Sequence, residues 1–234
     1  MQHRVNLKIN LTTLAENYHS VVKHVAPCLV MPILKANAYG LGVEPIARAL
    51  VAAGAQRIGV AEPFEALQLQ TLGVPIQLLS GILPDEIEPM LRAGVVLPLV
   101  SLESAEFISA VAQQLGIVAK VHVKIDTGMG RAGILWQEAS TVLRKVALLP
   151  ALELEGLFTH FPLAYEEHSD FTQIQLKRLL DIYYQSAADN ITFKYLHSAN
   201  SDAINNADSA YQKQIYPAGN SAAVRNGRKL SVQH

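Results

Sequence analysis

From residue 29 onward the chain alternates between short apolar runs and longer amphipathic stretches. Short apolar runs bounded by turn residues predict buried strands. They occur at residues 29–34, 57–61, 75–80, 95–101, 118–126, 152–161 and 192–198, with residues 214–216 as a candidate further strand. Between them, apolar residues recur at helical spacing over 43–54, 63–73, 84–94, 102–116, 137–149 and 171–188. The sequence therefore predicts repeated β/α units.

Short connections between such units imply parallel strands with right-handed crossovers. Seven or eight units within 234 residues favour an α/β fold of the TIM-type (β/α)8 barrel class, which typically takes about 250 residues. An open doubly wound sheet is the alternative. We predict one barrel domain over residues 1–215 and an irregular tail over residues 216–234. Because "RNGRKLSVQH" is basic and polar without strand periodicity, the barrel is expected to be incomplete at its last strand.

Composition narrows the classes of function. Half of the residues are hydrophobic and 17% are charged, which suits a large core and excludes a disordered chain. A net charge of -1 gives no electrostatic reason to expect nucleic acid or an acidic membrane surface as a partner. Cys28 is the only cysteine, so neither an intramolecular disulfide nor a multi-cysteine metal site is expected, and we predict no metal. Without a signal-like or membrane-length apolar run, a cytoplasmic protein is predicted.

Unusual polar residues follow four of the predicted strands. Residues at the carboxyl ends of barrel strands line the site of a TIM barrel. The residues at those places are Lys35, then Asp126 and Arg131, then Thr159 and His160, and finally His197, Asn200 and Ser201. The pattern predicts that polar groups from separate strands converge on one mouth.

Each of these residues also has a purely structural interpretation. Lys35 is typical of a solvated lysine at a strand end, and His160 of a hydrogen-bonded core histidine. Asn200 and Ser201 are common helix caps. Asp126 and Arg131 would suit an ordinary ion pair. The joint arrangement favours a site, because four independent structural explanations would have to coincide on one face.

The loop "GMGRAG", residues 128–133, matches the G-x-G-x-x-G dinucleotide pattern. Glu153 and Glu155 lie about where a ribose-binding acid is expected. However, the acid should end its strand, and the apolar run continues past both glutamates. The loop also follows at least four strands, whereas the pattern opens the first βαβ unit of its domain. We therefore do not expect a dinucleotide site.

Four motifs occur in order along the chain: "ILKANAYGLG", "KIDTGMGRAG", "THF" and "HSANSDA". Together they resemble alanine racemase, a pyridoxal 5'-phosphate (PLP) enzyme built on a barrel. The resemblance implies that Lys35 forms the Schiff base with PLP. It also implies that Tyr39 and Ser201 bond the cofactor phosphate. The implied reaction interconverts L- and D-alanine and supplies D-alanine for the cell wall.

Other site residues follow from the same resemblance. Arg131 is expected near the phenolic oxygen of PLP, and Lys124, often carbamylated in the family, is expected to orient it. His160 is expected against the pyridine ring, with Asn200 supporting the site. A lysine is a nucleophile only as the free amine, a form that burial favours. A strand end at a barrel mouth is expected to provide that burial for Lys35.

The resemblance weakens toward the end of the chain. The family contacts the pyridine nitrogen through the arginine of an R-P-G motif, and by spacing Tyr216 stands at that place, with Arg225 as the alternative. Family members continue into a C-terminal β-domain, which the partner subunit of a homodimer uses to supply the second base, a tyrosine. We expect that domain and base to be absent, so that the chain binds PLP without efficient racemisation. A non-catalytic single-domain PLP-binding protein and a PLP decarboxylase remain the alternatives.

Overall fold

A computed structural model of the protein describes residues 7–166, 168–205 and 229–233. Within these residues the strands are β1 (Leu29–Met31), β2 (Ile58–Val60), β3 (Ile76–Leu78), β4 (Leu97–Leu99), β5 (Ala119–Asp126), β6 (Ile134–Leu135), β7 (Leu152–Phe158), β8 (Tyr195–His197) and β9 (Lys229–Gln233). The helices are α1 (Leu11–His24), α2 (Lys35–Tyr39), α3 (Val43–Ala52), α4 (Pro63–Leu69), α5 (Pro84–Arg92), α6 (Leu102–Leu115), α7 (Ala139–Val146), α8 (Phe171–Ala188) and α9 (Ser201–Asn205). Each predicted strand and helix in the described ranges is present, most of them shorter than predicted.

The strands close into a barrel. All ladders are parallel, and one sheet runs in the order β1-β9-β8-β7-β5-β4. β2 pairs with β3, and single bridges join the two sheets at Ile33 with Gly59 and at Gln77 with Val96. β1 thus has a neighbour on both sides, as a closed barrel requires and an open sheet does not. The TIM-type barrel prediction is confirmed.

The last strand corrects one expectation. Lys229–Gln233 forms β9, which pairs with both β1 and β8, so that Ser231 lies opposite Leu29 on one side and His197 on the other. The prediction that this stretch lacks strand structure was wrong because "KLSVQ" does alternate polar and apolar residues, a period that its basic flank obscured. The candidate strand at 214–216 and the boundary after residue 215 lie outside the described residues, and that boundary stays a prediction.

Helix α1 precedes the first predicted unit and was not predicted. Its start is fixed by Asn10, whose side-chain oxygen accepts the backbone N–H groups of Thr12 and Thr13 at 3.0 and 3.1 Å. Asparagine is a preferred N-cap because it satisfies donors that the first helical turn leaves unpaired. α1 packs against α3 and β1, which extends the outer helical layer beside the first strand.

Candidate functional site: a cationic cavity at the barrel mouth

A cavity of about 520 Å³ opens at the carboxyl ends of the strands. Its size falls within the range of small-molecule sites, about 300–1,000 Å³. The lining residues are Ile33, Lys35, Tyr39, Ala61, Leu79, Ser80, Gly81, Lys124, Arg131, Ala132, Phe158, His160, Asn200, Ser201 and Asp202. Lys124 lies in β5 and Phe158 in β7, and the others lie in the segments that follow β1, β2, β3, β5, β7 and β8.

Seven of the residues named from the sequence line this one cavity: Lys35, Tyr39, Lys124, Arg131, His160, Asn200 and Ser201. Tyr216 and Arg225 lie outside the described residues. The roles assigned to the seven stay predictions. Sequence reasoning missed Ser80 and Gly81, although both follow β3 and the strand-end rule applies to them equally. It also missed Asp202, the carboxylate among the lining residues.

The segment after β1 forms a left-handed turn. Ala36, Asn37, Ala38 and Tyr39 all have φ between 53 and 55°. A left-handed conformation costs roughly 1–2 kcal/mol for each residue that carries a Cβ. Four such residues in succession therefore need support from outside the turn. The turn begins at Lys35 and ends at Gly40, whose φ of 83° suits a glycine.

Lys35 lies at the mouth with an exposed side chain. Its Nζ is 5.9 Å from the centroid of the Tyr39 ring, so the amine and the phenol lie side by side. The expectation that the barrel itself buries Lys35 is corrected: the turn carries the residue beyond the end of the three-residue strand β1. The apolar run continues three residues beyond the end of β1. The sequence therefore suggested a longer strand that would bury Lys35.

Lys124 is the buried cation of the cavity, with a relative exposure of 6%. Its Nζ lies 3.5 Å from the Leu79 carbonyl and 5.6 Å from the centroid of the Phe158 ring. Burial lowers the pKa of Lys124 to about 8, the charge of Arg131 acts in the same direction, and Asp126 opposes both. A fraction of this amine is therefore uncharged near neutral pH.

His160 follows β7, the sixth strand of the barrel, and lies beside the same cations. Burial lowers its pKa to about 4, and the charges of Arg131, Lys124 and Lys35 add to the effect. The ring is therefore neutral at pH 7. Behind it, Gln175 of α8 donates from Nε2 to the His160 carbonyl at 3.2 Å and to the Thr127 hydroxyl at 3.1 Å. α8 thereby connects the segment after β7 to the glycine loop after β5.

Asp126 shapes the loop that presents Arg131. Its Oδ1 accepts the N–H groups of Gly128 and Gly130 at 2.9 and 3.1 Å. The ion pairs found among the described residues do not include Asp126 with Arg131. The loop leads into β6, and α7 begins only at Ala139. The glycine pattern therefore does not open a helix, in agreement with the rejection of a dinucleotide loop.

Asn200 combines the two interpretations considered for it. Its Oδ1 accepts the N–H of Ala203 at 3.0 Å, which caps α9, and its Nδ2 donates to the Phe161 carbonyl at 3.0 Å. The same side chain lines the cavity. Asn200 therefore ties the end of β8 to the segment after β7 and supports the wall between His160 and Ser201.

His197 and Thr159 do not line the cavity, contrary to the prediction. Thr159 is buried and bonded to Thr127 at 2.7 Å and to the Ile125 carbonyl at 2.8 Å. His197 is 1% exposed and stacks on Phe158, with ring centroids 4.7 Å apart. His197 points into the barrel interior below the mouth. Thr159 points the other way, toward Thr127 and Gln175 of α8, because its neighbours Phe158 and His160 face the cavity and strand side chains alternate between two faces.

A buried polar network fills the barrel below Phe158. Arg57 donates to the Glu155 carboxylate at 2.7 Å, and the same carboxylate oxygen lies 3.0 Å from Nε2 of His122. Because a carboxylate only accepts, His122 donates from Nε2 and its Nδ1 is the acceptor. Nε2 of His197 lies 2.8 Å from that Nδ1 and therefore donates to it. Gln77 completes the network at 3.2 Å from Arg57.

The charges of the cavity are not balanced by its own residues. Lys35, Lys124 and Arg131 are three cationic side chains, and Asp202 is the one carboxylate among the lining residues. In the part of the chain that the structure describes, no group of three or more His, Cys, Asp or Glu side chains could hold a metal ion. The cavity is therefore suited to an anionic ligand.

Comparison with known proteins adds an independent observation. The family model described as "Alanine racemase, N-terminal domain" matches residues 9–226. The chain belongs to this family. It is 38% identical over 221 residues to an alanine racemase of Desulforamulus reducens, covering 93% of this chain and 60% of that protein. It is 36% identical over 200 residues to one of Halothermothrix orenii, covering 84% and 53%.

Solved alanine racemases share the fold. The structure of the Clostridium difficile 630 enzyme in complex with cycloserine superimposes with a TM-score of 0.81 at 25% identity, over 94% of this chain and 57% of that one. The Bartonella henselae alanine racemase with covalently bound pyridoxal phosphate gives a TM-score of 0.79 at 24% identity, over 96% and 60%. The racemase-family chain described here thus spans between about half and three fifths of the length of these relatives.

Among the described residues, no helix combines the length and the apolar character needed to cross a bilayer.

Proposed function

We propose that the cavity binds PLP and that the chain is the barrel part of an enzyme that interconverts L- and D-alanine. One observation carries the proposal: three cationic side chains, one of them a buried lysine, line a single cavity with one carboxylate. Membership in the alanine racemase N-terminal domain family supports the same proposal. Such an excess of positive charge stabilises a dianionic phosphate.

The residues present fit this cofactor. Lys35 offers a primary amine at the mouth, and the Tyr39 hydroxyl and Ser201 hydroxyl are donors suited to phosphate oxygens. Arg131 is a donor suited to an anionic phenolic oxygen, and Lys124 lies close enough to Arg131 to orient it. His160, neutral at pH 7, can lie against an aromatic ring without adding charge. The cavity volume also suits a ligand of this size.

Each residue then has a defined task. PLP, when bound, supplies an electron sink for the carbanion formed when an amino acid loses its Cα proton. Lys35 is the amine that holds the cofactor and then moves the Cα proton on one face. Arg131 holds the phenolic side, Lys124 orients Arg131, and Tyr39 and Ser201 orient the phosphate. Asn200 keeps the wall that carries Ser201 and His160 in place through its two hydrogen bonds.

Lys124 has a further proposed task. The free amine of Lys124 can attack CO₂ and release one proton, and the resulting carbamate would place an anion beside Arg131. The lowered pKa of Lys124, about 8, supplies the free amine near neutral pH. The intact mass of the protein, measured with and without bicarbonate, should differ by one CO₂, and Lys124→Met should abolish the difference.

The proposal predicts a covalent label on one residue. The chain is mixed with PLP, treated with borohydride and digested, and the labelled peptide is identified by mass. We expect the label on Lys35, with Lys35→Ala unlabelled and Lys8→Ala, an exposed lysine, labelled as fully as the unchanged chain. A label distributed over surface lysines would contradict the proposal.

A polarimetric assay with L-alanine tests the reaction itself. Racemisation requires proton transfer on both faces of Cα, and among the described lining residues the tyrosine is Tyr39, which we assign to the phosphate. We propose that the second base comes from the partner in a homodimer. Residues 1–234, which span about three fifths of a whole racemase, should therefore racemise alanine about two to four orders of magnitude more slowly than the whole enzyme. Turnover equal to that of a whole racemase would contradict this part. No turnover at all with firm PLP binding would instead favour the non-catalytic PLP-binding alternative.

A further inference from the structure

The turn that carries Lys35 is held from outside by the first turn of α4. Oε1 of Glu65 accepts the backbone N–H of Asn37 at 3.0 Å. Its other oxygen, Oε2, accepts the N–H groups of Ala61 and Glu62, each at 3.1 Å. Glu65 thus links the end of β2 and the start of α4 to the left-handed turn after β1.

Burial makes this link strong. Glu65 has a relative exposure of 1%, and a buried carboxylate persists only where hydrogen bonds compensate the loss of water. Three backbone donors surround it, and hydrogen bonds to an ionised acceptor are stronger than neutral ones. The Asn37 amide is therefore fixed to a rigid junction of the barrel.

Asn37 sits at the middle of the turn and is bonded in three directions. Besides donating to Glu65, it accepts the Val43 N–H on Oδ1 at 2.8 Å and the Gly42 N–H on its carbonyl at 3.0 Å. Lys35 lies two residues before it and Tyr39 two residues after it, and both line the cavity. The position of Asn37 therefore determines where the amine and the phenol lie.

We propose that Glu65 is a positioning residue, which holds the strained turn Ala36–Tyr39 through the Asn37 amide and so aims Lys35 and Tyr39 into one cavity. What the cavity binds rests on the proposed function above. The geometry of the turn does not depend on it, so the two can be tested separately.

Glu86 provides a matched control. It stands in α5 where Glu65 stands in α4, two residues after a proline that opens the helix. Oε2 of Glu86 accepts the N–H of Leu83 at 2.9 Å, within the first turn of its own helix. Glu65→Gln and Glu86→Gln therefore both weaken a helix cap, but only the former also changes the support of the Lys35 turn.

The amide of Glu65→Gln cannot replace both carboxylate oxygens. The single amide oxygen can accept two of the three hydrogen bonds if it faces the N–H groups of Ala61 and Glu62. The N–H₂ group then faces the Asn37 N–H, which loses its acceptor. We expect the Asn37 amide proton to exchange with solvent about 10- to 100-fold faster in Glu65→Gln than in Glu86→Gln, as the loss of one charge-assisted hydrogen bond implies. Hydrogen exchange by NMR on the full chain without cofactor measures this. Equal exchange rates in the two variants would overturn the proposal.

A rescue separates positioning from simple destabilisation. Ala36 is exposed, and glycine adopts positive φ without the cost that alanine has. Adding Ala36→Gly to Glu65→Gln should recover PLP labelling of Lys35, which Glu65→Gln should slow about 10- to 100-fold, while exchange at Asn37 stays fast because the glycine supplies no new acceptor for its N–H. Added to Glu86→Gln, the same change should restore nothing.

The remaining outcomes also test the role of Glu65 or the proposed function. If Glu65→Gln does not fold, recovery of folding by Ala36→Gly supports the proposal, and a double variant that stays unfolded contradicts it. An unchanged chain that takes up no PLP on Lys35 would overturn the proposed function alone, because the exchange measurement needs no cofactor.

Discussion

Strand β5 contributes to two regions of the barrel, and buried positive charge is balanced by a carboxylate in only one of them. His122 points into the inner network and Lys124, two residues later, into the cavity, because alternate side chains share a face. In the network, Arg57 is balanced by Glu155 at 2.7 Å. In the cavity, Lys124 lies next to Arg131 and contacts a carbonyl at 3.5 Å.

The difference teaches which region belongs to the fold and which to a ligand. Burial alone would raise the pKa of Glu155, but the hydrogen bond from His122 and the charge of Arg57 outweigh it and hold that pKa well below its usual range. The network thus carries its own compensation. The cavity leaves positive charge uncompensated at a cost in stability, which is typical of sites that bind an anion.

Removing the cation from the network should have the largest effect on stability. Arg57→Leu leaves the Glu155 carboxylate, 4% exposed, without its ion-pair partner. Breaking a buried pair in this way costs about 3–5 kcal/mol of unfolding free energy. Urea unfolding measures it. Arg48→Leu is the control, because Arg48 pairs with Glu44 on the surface with 56% and 57% of the side chains exposed, where a pair contributes about 0–1 kcal/mol. Similar losses in the two variants would refute the distinction.

The second largest effect on stability is expected when the pH is lowered. Burial lowers the pKa of His122 to about 4, and the charge of Arg57 adds to this against the hydrogen bond to Glu155. As the pH falls below 6.5, the unfolded chain binds a proton that the folded chain does not. The stability is therefore full above about pH 6.5 and is lost toward pH 4, by about 3 kcal/mol from His122.

Urea unfolding between pH 7 and pH 4.5 tests this prediction. His122→Asn should reduce the loss of unfolding free energy over that range, and His160, whose pKa burial also lowers to about 4, should account for part of the loss that remains. His168→Asn, at an exposed position, should leave the dependence as it is. A pH dependence that is the same in all three proteins would show that His122 does not titrate differently in the folded chain.

These contrasts also show what the sequence could and could not predict. Lys35, Arg131, His160 and Ser201 were identified because each follows a predicted strand, and barrel topology gathers strand ends. The left-handed turn was not predicted, because nothing local favours four non-glycine residues with positive φ; the bond from Glu65, 28 residues away, supports them.

The inner network was missed for a different reason. Its members lie in apolar runs of the sequence. A single polar residue in such a run does not indicate which other residue it will pair with. Glu155 was considered only as a ribose-binding acid, and its pairing with His122 depends on the register of β5 and β7, which shifts between Val121 and His122. Gly156 faces the His122 ring, which a Cβ at that position would overlap. Such fit is visible only in three dimensions.

In the cavity, removing a cation should raise the unfolding free energy instead of lowering it. Lys124 has its pKa lowered to about 8 by burial and by Arg131, so the folded chain at pH 7 bears a charge that it disfavours. Lys124→Met, of similar length, should raise the unfolding free energy at pH 7 by about 1–3 kcal/mol and weaken PLP binding. Lys120→Met on the same strand, where Lys120 is exposed, should change neither. A destabilised Lys124→Met chain would contradict the view that the cavity charge is uncompensated.

The smallest expected effect concerns Tyr39, whose side chain is 64% exposed beside Lys35. Tyr39→Phe keeps the ring and removes the hydroxyl, so the unfolding free energy should change by less than about 0.5 kcal/mol. PLP affinity should fall about three- to tenfold, the loss of one hydrogen bond to phosphate, in a fluorescence titration. Tyr165→Phe, 55% exposed and not among the lining residues, is the matched control. If both variants bind PLP as the unchanged chain does, the phosphate is held by other donors, and the cationic side chains alone account for the anion preference of the cavity.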